Sequence, residues 1–498
     1  MDFYQKLTQP AALSVFALTL VAPVLVGVLA MRSTRDQSDY FVGGRAMGWG
    51  VVALSAVSSG RSSWLVLGLS GMAWKMGTSA VWAVLGYVAV EALQFVTLGP
   101  RLRAAAEEHG AITLLDVLEA RHRGRWQLVR VVGAVIIGVF TTAYVAAQFS
   151  AGAKTLPLPT PAALGISAAL VLVYMVLGGY VAVAWNDVVR AVIMLVGLVV
   201  LPVVAVLAAG GAGAVLATLR ALQPAHLDPL ALSAGAMIGF LGIGLGSPGQ
   251  PHIVVRYMSI REPRQLWAAA AFGTVWNLLL GLGALAVGLV GRALVPGAEG
   301  LPEGDPETIY LVLSSQAFGP AMFGLLAGGV FAAILSTADS QLLVVASTLV
   351  RDLGQQVFRR GEALAPAREL SWSRWAVVGT GLVAVILAWG ADDLVFWLVL
   401  FAWGGLGASL GPALILSLYH RRTTALGVVA AMVTGTAVTI AWKLWLKAPT
   451  GLYELVPAFF GALGVGAVVS WIGPTSEPSN LSASHHGTGT PGSCPDRR

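Results

Sequence analysis

Long apolar runs recur along almost the whole chain, and they restrict its fold more than any other feature. Thirteen runs come near or exceed the roughly 20 residues that an α-helix needs to cross a bilayer. The runs are continuous rather than alternating, which excludes a transmembrane β-barrel. The sequence therefore predicts an all-α integral membrane protein with about 13 transmembrane helices. The runs are centred near residues 21, 59, 90, 138, 169, 198, 239, 279, 335, 382, 406, 433 and 462.

The composition agrees with a membrane protein and not with a soluble one. Of 498 residues, 57% are hydrophobic and 11% are charged, whereas soluble domains carry about 25% charged residues. The net charge of +6 does not indicate a nucleic-acid partner, because the basic residues lie in the loops. The expected partners are the lipid bilayer and a small-molecule substrate, and the oligomeric state is left open.

The arginine-rich loops predict the orientation in the membrane. If thirteen helices alternate, these loops all fall on one side, which the excess of positive charge marks as cytoplasmic. We therefore expect a multi-pass protein of the cell (inner) membrane, with the amino terminus outside and the carboxyl terminus in the cytoplasm. The basic residues concerned include Arg32, Arg35, Arg45, Arg101, Arg103, Arg121, Arg130, Arg256, Arg261, Arg264, Arg351, Arg359, Arg421 and Arg422.

A polar segment, Ser-Ser-Gly-Arg-Ser-Ser at residues 58–63, interrupts the second apolar run. Arg61 lies about half a membrane thickness from either end of that run, too far to extend its side chain to water. Ionisable residues at such depth commonly mark functional sites. The segment predicts a locally broken helix that lines a cavity, as in solute transporters. The alternative is a serine-rich packing seam whose arginine reaches water.

Ala333, Ser336, Thr337 and Ser340 share one face of a predicted helix, because they are spaced at i, i+3, i+4 and i+7. Two hydroxyls with nearby backbone carbonyls form the oxygen environment that hard cations prefer. This face is a candidate cation site. Alternatively, the hydroxyls bond to carbonyls of their own helix, as Ser and Thr often do in membranes.

Four motifs, in order along the chain, resemble those of the sodium:solute symporter family, most closely its proline-symporter branch. The likeness extends from residue 39 to residue 374, about two-thirds of the chain. It implies a secondary active transporter, not an enzyme, which imports a small organic solute by alternating access. Sodium is the implied coupling ion, and no cofactor is implied. The motifs are residues 39–45 (DYFVGGR), 178–187 (GGYVAVAWND), 249–253 (GQPHI) and 335–343 (LSTADSQLL).

The resemblance also implies a domain organisation, a core of two five-helix inverted repeats with one helix before and two after it. A disordered cytoplasmic tail is expected from the Ser-, Gly- and Pro-rich composition of the last residues. The segments are 1–46 (first helix and loop), 47–209 (first repeat), 210–237 (external loop), 238–419 (second repeat), 420–472 (two helices) and 473–498 (tail).

Site roles follow from the resemblance position by position. In the family, two backbone carbonyls of the broken first core helix bind sodium, and these positions match Ser58 and Arg61. The sodium ligands of the eighth core helix match Ala333, Ser336 and Thr337. A substrate-binding position of the family matches Ser62, and Trp64 follows it two residues later in the sequence.

The sequence departs from the proline branch at several positions of the implied site. The branch has an aspartate where this chain has Gly60, a methionine at Arg61 and a small apolar residue at Glu91. Its aromatic pair in the sixth core helix matches Ile243 and Ser247 here. We therefore expect a substrate pocket different from that of the proline branch.

Arg61 and Glu91 carry opposite charges at positions where the proline branch has none. Either charge alone would be costly in a membrane, which suggests that the two residues compensate each other. We hypothesise that Arg61 pairs with Glu91, or otherwise with Asp339 or Asp187. Asp187 and Arg190, three residues apart on one helix, can form a local ion pair. If Arg61 points toward the cation site it replaces the ion; if it points into the substrate cavity it binds a carboxylate.

The function expected from these features is sodium-coupled import of an amino acid or another small carboxylate. One alternative is a transporter of the same fold that is sodium-independent or proton-coupled, with Arg61 replacing the cation. A second is a sensor that binds a solute without moving it. An ion channel and a membrane enzyme are weaker alternatives, because neither a filter sequence nor a nucleophile–base arrangement is visible.

Overall fold

The computed structural model describes residues 3–30, 42–122, 127–177, 180–362, 365–390 and 395–473. This part of the chain is helical and contains no β-strand; a single bridge joins Met47 to Ile260. The predicted all-α fold is thus confirmed. The start of the first motif, residues 39–41, the glycine pair 178–179 and the predicted tail beyond Gly473 lie outside the described residues.

Twenty α-helices make up most of the described chain, and short 3₁₀ or π turns continue several of them. The α-helices are α1 Phe3–Leu7, α2 Pro10–Ala30, α3 Trp49–Ser63, α4 Ser70–Met76, α5 Val81–Glu108, α6 Leu114–Arg121, α7 Leu128–Ala153, α8 Thr160–Leu177, α9 Tyr180–Ala208, α10 Ala212–Leu222, α11 Ala234–Leu241, α12 Pro251–Ser259, α13 Leu266–Leu294, α14 Ile309–Ala317, α15 Pro320–Ser347, α16 Pro366–Trp389, α17 Val395–Tyr419, α18 Ala425–Ala441, α19 Lys447–Thr450 and α20 Leu455–Ile472.

Apolar helices occur at all the predicted places, although not all of them are long enough to cross a bilayer. Within the described ranges, nine helical stretches are long and apolar enough to cross a bilayer, and four further apolar helices are shorter. One of the nine, Trp49–Glu108, contains α3, α4 and α5. Each of the thirteen predicted centres lies within a helix, while the number of membrane crossings remains a prediction.

Two of the helices are broken near their middles. The backbone of Ser62 leaves the helical region, with φ 25° and ψ −165°, and a π turn at Trp64–Leu69 then leads into α4. On the other broken helix, α11 passes into a 3₁₀ segment, Gly242–Gly249, and the extended residue Gln250 precedes α12. The proline at the start of α12 explains this second break, because a residue before proline avoids the helical region.

These breaks bear on the predicted repeats. Each broken helix is the first helix of one predicted five-helix repeat, 47–209 or 238–419, although the repeat boundaries themselves remain predictions. Irregular backbone at membrane depth is tolerated only where it is buried in protein or lines a cavity. Both breaks are buried, and they mark the centre of the molecule as the place to look for a site.

Glycines allow the backbone of α5 to pack directly against the backbone of the second broken helix. A Cβ atom on Gly86 would lie 2.2 Å from the carbonyl oxygen of Leu241, and one on Gly244 would lie 2.4 Å from the carbonyl oxygen of Gly86. Small residues permit such close packing of helices in a membrane. This contact fixes α5, which supplies one wall of the site described below.

We therefore expect Gly86→Val to lower the melting temperature of the purified protein in detergent by several degrees. Forcing a side chain into a packed contact costs about 1–3 kcal/mol, and here the obstacle is backbone, which cannot turn away. Gly138→Val, in the middle of α7, is the matched control, because nothing lies within 4 Å of its Cβ position. Equal melting temperatures for the two variants would contradict this account of the packing.

Candidate functional site

Arg61 is fully buried at the break of α3, where its guanidinium contacts two neighbouring helices. Its Nε donates a hydrogen bond to the side-chain oxygen of Asn277 on α13. Its Cζ lies 3.8 Å from the ring centroid of Tyr87 on α5 and 5.7 Å from that of Trp64. Within the described protein, neither Nη1 nor Nη2 of Arg61 has a hydrogen-bond partner. The guanidinium is thus anchored through one nitrogen and open at two.

Asn277 links Arg61 to the buried acid on α5. Its side-chain nitrogen donates a hydrogen bond to Oε2 of Glu91, and the hydroxyl oxygen of Tyr87 lies 3.4 Å from Oε1 of Glu91. Glu91 is 2% exposed. The two charges that the sequence suggested as a pair therefore belong to one network, but the amide of Asn277 stands between them.

Gly60 is required by the position of Tyr87. A Cβ atom on Gly60 would lie 2.2 Å from the Tyr87 hydroxyl. The oxygen of that hydroxyl is 3.4 Å from the Gly60 carbonyl as well as from Glu91, so its one proton can be donated to either acceptor. Any larger residue would displace Tyr87 and with it the ring on which Arg61 stacks. Gly60, Arg61, Tyr87, Glu91 and Asn277 thus form a mutually dependent set, called here the arginine network.

A second cluster joins α3 to α15. Ser336 Oγ lies 3.4 Å from Ser58 Oγ, and Thr337 Oγ1 donates a 3.3 Å hydrogen bond to the carbonyl of Ser59. Ala333, one turn earlier on the same face, is fully buried. The structure therefore places Ser336 and Thr337, two of the three α15 positions suggested for sodium, directly against the broken helix. We call Ser58, Ser59, Ser336 and Thr337 the hydroxyl cluster.

Asp187, on α9, accepts hydrogen bonds from the hydroxyl cluster and its surroundings. The hydroxyls of Ser55 and Ser59 donate to its Oδ2 at 2.6 and 3.1 Å, and that of Ser336 donates to its Oδ1. Arg256 Nη2, on α12, lies 3.3 Å from Oδ2. Asp187 is therefore neutralised from α12 and not by Arg61.

Asp339, on α15, likewise has a cation of its own. Nη1 of Arg190 lies 3.1 Å from Asp339 Oδ2, closer than its 3.9 Å distance to Asp187 Oδ1. The interaction of Arg190 within α9 is thus supplemented by a shorter one to α15. Both aspartates that the sequence offered as alternative partners of Arg61 are engaged by other arginines.

A small cavity lies at the break of α3, with room for about one water molecule. The hydroxyl of Ser62 lies 3.4 Å from that of Tyr144 and accepts a hydrogen bond from the backbone of Trp64 at 3.1 Å. Of the four positions suggested for substrate, Trp64 and Ile243 line the cavity, whereas Ser62 and Ser247 are buried but not part of its lining. The lining residues are Gly60, Trp64, Tyr87, Tyr144, Ile243, Val399, Leu400 and Trp403.

Trp403 supplies an aromatic wall that the sequence did not predict. Its indole nitrogen donates a 2.8 Å hydrogen bond to the carbonyl of Ile243, and its ring centroid lies 5.6 Å from that of Tyr87. The second broken helix has no aromatic side chain at Ile243 or Ser247, and an aromatic side chain of the cavity comes from α17 instead. Of the residues that sequence reasoning missed, only Asn277 had a signal, as an isolated amide in a long apolar helix.

Comparison with known proteins agrees with this architecture. The sodium:solute symporter family matches residues 40–435. The chain is 36% identical to the high-affinity proline transporter PutP of Bacillus subtilis, over 88% of this chain and 93% of the relative. It is 35% identical to the osmoregulated proline transporter OpuE of the same organism, over 93% and 94% of the two chains.

A solved structure shows the same fold. The substrate-bound, outward-open structure of a Na⁺-coupled sialic acid symporter superposes with a TM-score of 0.76 at 19% identity, covering 95% of this chain and 99% of that one. The match of the family to most of the chain and the identity to its relatives agree with the motifs noted above. The chain therefore belongs to the sodium:solute symporter family and is a sodium-coupled importer of a solute.

Proposed function

We propose that the protein imports a small amino acid, or a related carboxylate, together with sodium. The observation that carries this proposal is the proximity of two features along one broken helix. An aromatic cavity lined by Gly60 and Trp64 lies beside the break at Ser62, and the hydroxyl cluster begins at Ser58, one turn before that break. A solute and an ion bound there would both contact α3.

Sodium would be held by the backbone carbonyls of Ser58, Arg61 and Ala333 and by the hydroxyls of Ser336 and Thr337. The contacts between the hydroxyl cluster and α3 support this set, because these oxygens already converge on the broken helix. In the described ranges, no group of three or more His, Cys, Asp or Glu residues is arranged for a metal ion. An all-oxygen set with few charges suits an alkali cation better than a transition metal.

The position of the Arg61 side chain supports coupling to sodium rather than the alternative in which its guanidinium takes the place of the ion. Its guanidinium lies between α5 and α13, against Tyr87 and Asn277, whereas the hydroxyl cluster lies between α3 and α15. The side chain therefore leaves the proposed sodium site free, and only its backbone carbonyl belongs there.

Coupling would follow from the shared helix. An ion that binds between α3 and α15 favours the arrangement in which α3 is correctly placed, and a solute that binds at the break favours the same arrangement. Two ligands that stabilise one state must increase each other's affinity. The two broken helices would then supply the irregular segments around which alternating access takes place.

The choice of an amino acid draws on the relatives, two of which are named as proline transporters. This pocket differs from the one expected of the proline branch in two ways: it contains the arginine network, and it has Ile243 and Ser247 in place of an aromatic pair. We therefore expect a different substrate selectivity. The arginine-rich loops support an inner-membrane location with the amino terminus outside and the carboxyl terminus in the cytoplasm.

Purified protein in proteoliposomes should accumulate at least one radiolabelled small amino acid or carboxylate when an inward sodium gradient is imposed. A proton gradient alone should give background uptake, because no ion other than sodium is proposed to stabilise the α3–α15 junction. L-proline belongs in the panel with other small amino acids and carboxylates. Uptake driven by protons and indifferent to sodium would contradict the proposal, as would specific solute binding without any transport.

Ser336→Ala and Thr337→Ala should each raise the sodium concentration for half-maximal uptake by about 10- to 100-fold, the effect of losing one contact to a charged group. Uptake at saturating sodium should change less. Ser347→Ala is the matched control, since this serine lies later on the same helix and its hydroxyl donates a hydrogen bond to the carbonyl of Val344, within its own helix. Unchanged sodium dependence in both site variants would exclude these hydroxyls as ligands.

A further inference from the structure

We propose that Arg61 binds the carboxylate of the transported solute, and that Asn277 and Glu91 are positioning residues which hold its guanidinium for that role. This inference rests on the proposed function, because it concerns how the imported solute is recognised. It goes beyond the family comparison, since the proline branch has neither charge at these positions. The observation behind it is a fully buried guanidinium with one nitrogen anchored and two without partners.

The free nitrogens match the chemistry of a carboxylate. A guanidinium presents its N–H groups in a planar fork that can donate two parallel hydrogen bonds to the two oxygens of one carboxylate. Here Nε is used by Asn277, so Nη1 and Nη2 form the available edge of the fork. Leaving such donors buried and unpaired is costly, and a carboxylate would remove that cost.

The location is also suitable. The guanidinium of Arg61 lies against the ring of Tyr87, 3.8 Å from its centroid. Tyr87 lines the cavity, as do Gly60 and Trp64, which lie before and after Arg61 in the chain. A solute in an enlarged, substrate-accepting form of this cavity would meet aromatic side chains on its apolar part and the guanidinium at its charged end.

The amide of Asn277 explains why the arginine remains available. A carboxylate in direct contact with Arg61 would occupy the same nitrogens that a solute needs. With Asn277 between them, Glu91 offsets the buried positive charge at a distance, and the Nη atoms stay free. Removing Glu91 or Asn277 should therefore weaken carboxylate binding, although neither residue touches the solute.

The test measures selectivity between a carboxylate and its neutral amide. Uptake of a radiolabelled amino acid is competed with L-proline and L-prolinamide, or with the acid and amide of whichever amino acid gives the highest uptake. Wild-type protein should prefer the acid. Arg61→Met should raise KM for the acid about 10- to 100-fold, leave inhibition by the amide nearly unchanged and keep uptake dependent on sodium.

Substitution of the positioning residues, Asn277 and Glu91, should reduce the preference for the acid over the amide less than Arg61→Met does. Asn277→Leu and Glu91→Gln should raise KM for the acid and reduce the acid-to-amide ratio, with a smaller change in maximal rate. Gln94→Leu is the matched control, because Gln94 is also a buried amide on α5, one turn from Glu91, and has no hydrogen-bond partner within the described protein. Its acid-to-amide ratio should equal that of the wild type.

A double variant, Arg61→Met with Glu91→Ala, separates lost recognition from lost folding. Each single change leaves an uncompensated buried charge, whereas the double change removes both, so it should be well folded and still unselective. Retention of the acid-to-amide ratio in Arg61→Met or in the double variant, with sodium-driven uptake intact, would overturn the inference. Failure of wild-type protein to take up any amino acid or carboxylate would instead overturn the proposed function.

Discussion

The arrangement of the site depends on how the protein compensates a guanidinium buried at the break of a membrane helix. Arg61 cannot reach water, and an unpaired charge in this position would be prohibitive. The charge is compensated by the ring face of Tyr87, by a hydrogen bond to the amide of Asn277 and, through that amide, by the carboxylate of Glu91. These three residues come from α5 and α13, so the compensation of one charge also ties three helices together around the cavity.

A second group of charges is kept apart from the first. Asp187 and Asp339 are held by Arg256 and Arg190 on the side of α3 that faces α9, α12 and α15. The hydroxyl cluster lies in this second region, next to Asp187. Among the described residues, the hydrogen bonds of the two groups involve different side chains. A cation at the junction of α3 and α15 and a carboxylate near Arg61 would therefore not compete for the same side chains.

Much of this arrangement could be predicted from the sequence, and the failures have physical reasons. Apolar length located the helices, and the polar segment around Arg61 predicted the break at Ser62, because both signals are local in the chain. The contact of Ser336 and Thr337 with α3 followed from helical spacing and family resemblance. Asn277 and Trp403 were missed because their roles depend on which helices become neighbours, and hydropathy carries no such information. The same limit explains Ser247, which is buried outside the cavity lining.

In the proposed mechanism, the guanidinium of Arg61 would bind the solute and leave the sodium site to the ion. Equilibrium binding of ²²Na⁺ to purified wild-type protein and to Arg61→Met, without solute, tests it most directly. We expect both proteins to bind sodium with similar affinity, and added amino acid to tighten binding in the wild type more than in the variant. A wild-type protein that binds no sodium, beside a variant that does, would show that Arg61 occupies the place of the ion and would contradict the account.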